Sequence, residues 1–206
     1  EIKSVPDFKC ISPKQLSLTI ATKNNGFGNG MWLQIPRLKN PLPLFVVFRA
    51  LGVLSDEDIC KKIVLDTSSE HNVVLMRNIQ GSVVESNHIL TQECAMKQVI
   101  SNIMFTTHAG IDKETSVILK RNFAQEVLNN DLFPHCRTKE QKIYFLGYMA
   151  NCLLKCSMGL EQVSDRDSFV NKRVDITGTL LNNLFRNYFN KMVKDMQKQT
   201  IREINN

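Results

Sequence analysis

Charged side chains of both signs crowd one stretch near the C-terminus, Asp165-Arg166-Asp167-Ser168-Phe169-Val170-Asn171-Lys172-Arg173-Val174-Asp175-Ile176, which runs into Thr177-Gly178-Thr179-Leu180-Leu181. Asp165 and Asp167 are hard oxygen donors of the type that binds a divalent cation. Arg166 between them and the Lys172-Arg173 pair behind them favour ion pairing instead, because a charge left unpaired in a folded elbow is costly. The stretch is therefore predicted to be a structured elbow, shaped by Asp165, Asp167, Asp175 and Gly178. Arg166, Lys172 and Arg173 are the cations that can close its salt bridges. No residue of the chain is assigned a catalytic role, and none is assigned to a metal.

Other candidates for chemistry are weaker. Cys10, Cys60, Cys94, Cys136, Cys152 and Cys156 contain no Cys-x-x-Cys pair, so zinc is not expected. Scattered cysteines without a secretory signal imply buried thiols in a reduced intracellular compartment, and no disulfide. His71, His88, His108 and His135 lie far apart in sequence, and spacing pairs none of them with a nucleophile. Gly26-x-Gly28-x-Gly30 lacks the Lys-Ser/Thr ending and the following helix of a phosphate cradle, and is predicted to be a loop.

Behind the elbow Leu180, Leu181, Leu184, Phe185, Tyr188, Phe189, Met192, Val193, Met196, Ile201 and Ile204 recur at helical spacing. A helix so patterned is expected to bury one side. Arg186, Lys194, Lys198 and Arg202 recur at multiples of four along another side, with Lys191 beside them. Such a stripe is either a solvated face or a surface that meets phosphates.

The elements that must hold this elbow are mostly helical. Leu16, Leu18 and Ile20 alternate as in a half-buried strand, and the turn-forming Asn24 to Gly30 followed by Trp32, Leu33 and Ile35 makes a hairpin. Leu44 to Leu51 is continuously apolar except for Arg49, which fits a strand or helix buried on both sides. Ser55 caps a short helix with acids in its first turn. Val73 to Ile79 and Asn87 to Phe105 have helical spacing, with Gly81 and the 106–110 stretch as interruptions. Asp112 to Leu128 is predicted to be a helix with Ile118, Phe123, Val127 and Leu128 toward the core. Thr138-Lys139-Glu140-Gln141 is a capping box for a helix, apolar nearly all round from Ile143 to Leu154, which should be central and buried. Gly147 inside it implies a close crossing, and Gly159 stops it. The sum is an α+β fold, mainly helical, with a few short antiparallel strands and a long amphipathic C-terminal helix.

At 206 residues, 43% of them hydrophobic, the chain can bury a real core. Lys plus Arg exceed Asp plus Glu by 26 to 20, a net charge of +6 that biases the chain mildly toward polyanions. No apolar run reaches membrane-spanning length, so no membrane partner is expected. The chain opens on Glu1 and its last helix pattern runs to the end with no stop signal, so both termini are expected to be cuts in a longer polypeptide.

The elbow, Asp-Arg-Asp-x-Phe-x-x-Lys-Arg-x-Asp-x-x-Gly-x-Leu-Leu-x-x-Leu-Phe, resembles the passage that leaves the lobe of the second-largest subunit of multisubunit DNA-directed RNA polymerases of the eukaryotic and archaeal type. Two further blocks, Pro43 to Asp56 and Lys142 to Leu154, resemble the same family in the same order, as does the shorter Asp131-Leu132-Phe133-Pro134-His135. The sequence departs from that family at Val170, where a glycine is usual, and at Thr179, where a proline is usual.

The resemblance implies that residues 7–173 are the lobe and that 1–6 and 174–206 belong to the protrusion, so the last helix should lack part of its packing surface. It implies one wall of the DNA cleft, with Arg166, Lys172 and Arg173 supporting either electrostatic contacts to the nucleic-acid backbone or the turn itself, and a docking face for initiation factors. The partners would be the largest subunit, the rest of the same subunit and DNA held without sequence preference. Nucleotidyl transfer would use Mg²⁺ on the largest subunit, with no cofactor in this fragment. Nucleus or cytoplasm, or a viral factory or virion for a large DNA virus, would be the location. The competing reading is a freestanding helical interaction module with a basic face.

Overall fold

The computed structural model describes residues 1–4, 13–65, 71–105, 112–165, 167–172 and 174–205. Two compact units make up the chain: Glu1–Ser4 with Lys14–Gln162, and Val5–Pro13 with Val163–Asn206. The fold is α+β and mainly helical, as the sequence patterns imply.

The first unit begins with an antiparallel sheet in the order β1 (Ile2–Lys3), β2 (Gln15–Asn24), β3 (Asn29–Gln34), β4 (Leu42–Pro43). Pairing of Leu18 with Leu33 and of Ile20 with Met31 fixes the β2–β3 register. Leu16, Leu18, Met31 and Leu33 then point to the buried face, as the alternation requires.

Pro43 opens α1 (Leu44–Leu51), and Gly52, with φ 109°, ends it. The apolar run that fits either strand or helix is thus a helix, and all eight of its residues are buried. Ser55 caps α2 (Asp56–Val64) by accepting the Asp58 N–H.

Helix α3 (His71–Glu85) runs straight through Gly81, which therefore does not interrupt it. The glycine is needed for another reason. A Cβ on Gly81 would stand 2.7 Å from the Gly28 carbonyl carbon, so the hairpin loop lies backbone to backbone against α3. Asn25 Nδ2 donates to the Gly81 carbonyl at 2.9 Å, and Met31 N–H donates to Ser82 Oγ at 2.9 Å. The loop expected over Gly26 to Gly30 ends at Gly28, Gly30 already lies in β3, and both glycines make room for α3.

Helix α4 (Gln92–Asn102) starts later than the Asn87 expected, because Thr91 is its cap. Helix α5 (Lys113–Glu126) continues into a π turn, Val127–Asp131. Val127 and Leu128 are buried there, but Ile118, expected in the core, is 59% exposed because the buried side of α5 passes through Ala124 instead.

The expected capping box of Thr138 and Gln141 opens α6 (Lys139–Ser157). Gly159, φ 72°, follows its end. Only one side of α6 is buried, through Leu146, Gly147, Ala150 and Leu154, while Tyr144 and Tyr148 are exposed. Aromatic rings do not make a helix buried all round when their hydroxyls favour water. The crossing expected at Gly147 is present, since a Cβ there would collide with the Lys62 carbonyl of α2.

The second unit contains a 3₁₀ turn at Phe169–Asn171 and then α7 (Thr177–Ile204). The amphipathic helix forms as expected, but it buries no residue. Its apolar side remains exposed at Leu180, Leu184, Phe185, Tyr188 and Phe189. The expectation that it must bury one side is therefore not met in this chain.

Candidate nucleic-acid interface

The elbow is held by local polar contacts. Asp165 Oδ1 accepts the Asp167 N–H at 2.9 Å, and Asn171 Nδ2 donates to the Asp165 carbonyl at 2.7 Å. Lys172 Nζ reaches Asp167 Oδ1 at 3.2 Å, with the lysine side chain 50% and the aspartate 89% exposed. The two aspartates thus take part in the geometry of the turn and in an ion pair. Among the described residues no group of three or more His, Cys, Asp or Glu side chains is placed to hold a metal ion.

Arg166 and Arg173 lie outside the described residues. Asp175 and Gly178 are exposed, and a Cβ on Gly178 would meet open space. Val170 is also exposed.

On α7, Lys191, Lys194, Lys198 and Arg202 are exposed and Arg186 is half-buried. Phe185 and Phe189 stack on the same helix with centroids 5.8 Å apart. Gln199 Nε2 donates to Glu203 Oε1 at 2.7 Å. Exposed cations of this kind can neutralise phosphates, and such contacts position a nucleic acid without reading its sequence.

Sequence reasoning missed the charged residues inside the first unit. Arg49 is fully buried. Its guanidinium donates to the carbonyls of Ser86 and Ile89 and pairs with Asp56. One side chain thus ties α1 to the turn after α3 and to the start of α2. Asp131, at the end of the π turn, is 1% exposed and pairs with Lys14 and, at 3.2 Å, with Arg37 Nε.

Lys142 Nζ donates to the carbonyls of Leu128, Asn129 and Leu132 at 3.0, 2.6 and 2.5 Å. Burial holds its ammonium below the usual lysine range, opposed by Cys136 and Asp131. Asn151 Nδ2 donates to Ile63 and Val64 carbonyls at 2.9 and 3.1 Å, closing the C-terminus of α2. A lysine within an apolar helix was the only sequence signal of these bonds. Its partners are carbonyls, which residue type does not reveal.

Two other groups are displaced by burial. The Cys60 thiol is pushed up to about 11, by desolvation first and the nearby Asp56 second. Glu85, against the hairpin, is raised by desolvation and partly restored by a hydrogen bond from Trp32. Both are structural positions, and a raised thiol is a poor nucleophile.

The order of elements and the charged elbow can now be set against known proteins. The chain belongs to the family described as RNA polymerase Rpb2, domain 2, whose model matches residues 12–175. That family lies in the second-largest subunit of DNA-directed RNA polymerases.

Three relatives show the breadth of the likeness. The DNA-directed RNA polymerase II subunit RPB2 of Schizosaccharomyces pombe is 31% identical over 96% of this chain and 16% of its own length. The DNA-directed RNA polymerase subunit 2 of Acanthamoeba polyphaga mimivirus is 30% identical over 96% of this chain and 17% of its own length. The DNA-directed RNA polymerase subunit Rpo2N of Methanococcus vannielii is 32% identical over 83% of this chain and 33% of its own length. The chain therefore spans about a sixth of the fission yeast and viral relatives. Among the described residues no helix is long and apolar enough to cross a membrane.

Proposed function

We propose that this chain is the lobe of a DNA-directed RNA polymerase, a non-catalytic part of the wall of the DNA cleft that also offers a docking face to initiation factors. The observation that carries the reading is the family match over residues 12–175, which takes in both the helical unit and the elbow. In this reading residues 7–173 are the lobe, and 1–6 and 174–206 are segments of the protrusion. The largest subunit holds the Mg²⁺ for nucleotidyl transfer. Asp165 and Asp167 do not compete for that role, since each is engaged in the elbow's own hydrogen bonds and ion pair.

Arg166, Lys172 and Arg173, with the basic side of α7 (Arg186, Lys191, Lys194, Lys198 and Arg202), supply positive potential toward DNA or neighbouring subunits. Contacts to phosphates release counterions, so binding falls steeply as salt rises and is indifferent to sequence. The location is intracellular, wherever the polymerase works.

The test is affinity capture of the tagged chain within its full-length subunit. The reading requires recovery of the largest subunit. A freestanding interaction module would return unrelated partners and no polymerase subunit. In parallel, duplex binding followed across a salt series should weaken about tenfold or more from low to physiological salt. Tight, sequence-selective binding at physiological salt would overturn the reading.

A further inference from the structure

A cleft of about 380 Å³ opens between α4 and α5, and none of the residues assigned above to DNA is among those that line it. Its α4 wall is Glu93, Met96, Lys97 and Ile100, spaced three, four and seven apart on one side of the helix. Its α5 wall is Val117, Arg121 and Gln125, each four apart. Ala50 forms the floor, where Gln92 Nε2 donates to its carbonyl at 3.2 Å, and Lys139 at the start of α6 stands on the rim.

Two properties of this cleft point to one class of occupant. Lys97, Arg121 and Lys139 make no ion pair among the described residues, and Glu93 is the one acid among the described residues that line the cleft with them. The rim therefore carries a surplus of positive charge. The interior is apolar, with Met96 and Ile100 half-buried and Val117 62% exposed although it lies in a concave wall. A phosphate backbone would satisfy the cations and leave the apolar wall wet. A peptide with an apolar side chain between carboxylates would satisfy both.

We propose that the α4–α5 cleft is a docking site for an acidic peptide segment of another protein, which inserts one large apolar side chain between Met96, Ile100 and Val117 and sets its carboxylates against Lys97, Arg121 and Lys139. The inference rests on the reading of this domain as part of a larger assembly, and it fixes the chemistry of one partner segment.

The experiment uses the full-length subunit in its assembled polymerase and a fluorescein-labelled peptide with one Phe between two pairs of Glu, followed by fluorescence anisotropy. Binding should weaken about tenfold in Lys97→Glu/Arg121→Glu and several-fold in Val117→Ser, and also several-fold when the peptide's Phe is replaced by Ser. Thermal melting should be unchanged in both variants, since all three side chains are exposed. Absence of peptide binding to the parent complex would overturn the proposal, as would binding indifferent to both variants. So would a labelled single-stranded oligonucleotide that binds the parent tighter than the peptide and is lost in Lys97→Glu/Arg121→Glu, because the cleft would then be a nucleic-acid contact. Recovery of the largest subunit with each variant reports separately on the polymerase reading, which survives a negative result at this cleft.

Discussion

The helical unit of 14–162 and the elbow with α7 handle charge in opposite ways. Inside the first unit, Arg49, Asp131 and Lys142 are buried, and each holds two or more elements together. In the second, Asp167, Lys172 and the lysines of α7 are exposed, and the contacts they make are local. A buried charge is tolerated only when it is paired and hydrogen-bonded, so it becomes architecture. An exposed charge is weakly held and remains available to something outside the chain. The comparison teaches that charge alone does not mark a surface for nucleic acid: burial decides which cations are structural and which can still bind.

That contrast can be broken most directly at Arg49. Arg49→Ala removes the donor to two carbonyls and the partner of Asp56, and should destabilise the first unit by about 3 kcal/mol, measured by urea unfolding. A loss under about 1 kcal/mol would mean that buried charge is not architectural here. Gly147→Ala drives a methyl group into the Lys62 backbone and should cost about 2 kcal/mol in the same assay. Thr138→Ala removes the cap of α6 and should cost about 1 kcal/mol.

Lys172→Ala should leave the melting temperature of the chain unchanged while weakening duplex DNA binding at low salt. A marked fall in melting temperature would show that the elbow's ion pair is structural after all.

The smallest effect is a pH dependence at Glu85. Its folded-state pKa is raised above 4.5 by desolvation, so the native state binds more protons than the unfolded chain between those two values. Stability linked to this group is then greatest at low pH and is lost as pH rises through the raised folded value. Glu85→Gln should therefore gain on the parent near neutrality and lose that gain as pH falls toward 4.5. Parallel unfolding curves for the two proteins at both ends of that window would check it, and a pH-independent difference would refute the assignment.

Much of the fold was legible because its signals are local. Ser55 and Thr138 each cap the helix that follows, and Gly159 ends α6, within a few residues of the pattern that betrays them. Gly81 was misread as a break because its partner, Gly28, is far away in sequence, and a helix accepts glycine when a second backbone must pass close. Ile118 was misplaced because α5 has several apolar residues on more than one side, and only tertiary packing chooses Ala124.

The elbow was found as a motif, but residue type gave only a choice of ion-pair partners, among which the structure pairs Lys172 with Asp167. The α4–α5 cleft was not found, since it needs residues from four helices that no single periodicity links. The bonds of the buried lysine were hidden for another reason: its carbonyl partners lie in and just after a π turn, a local irregularity that side-chain patterns do not encode.

The seam between Gly28 and Gly81 has a mechanical consequence. With no side chain between the two backbones, there is no rotamer to flip and no soft layer to shear when the hairpin is pushed. The hairpin tip and α3 are therefore expected to shift together under load, as one strut and not as two sliding layers.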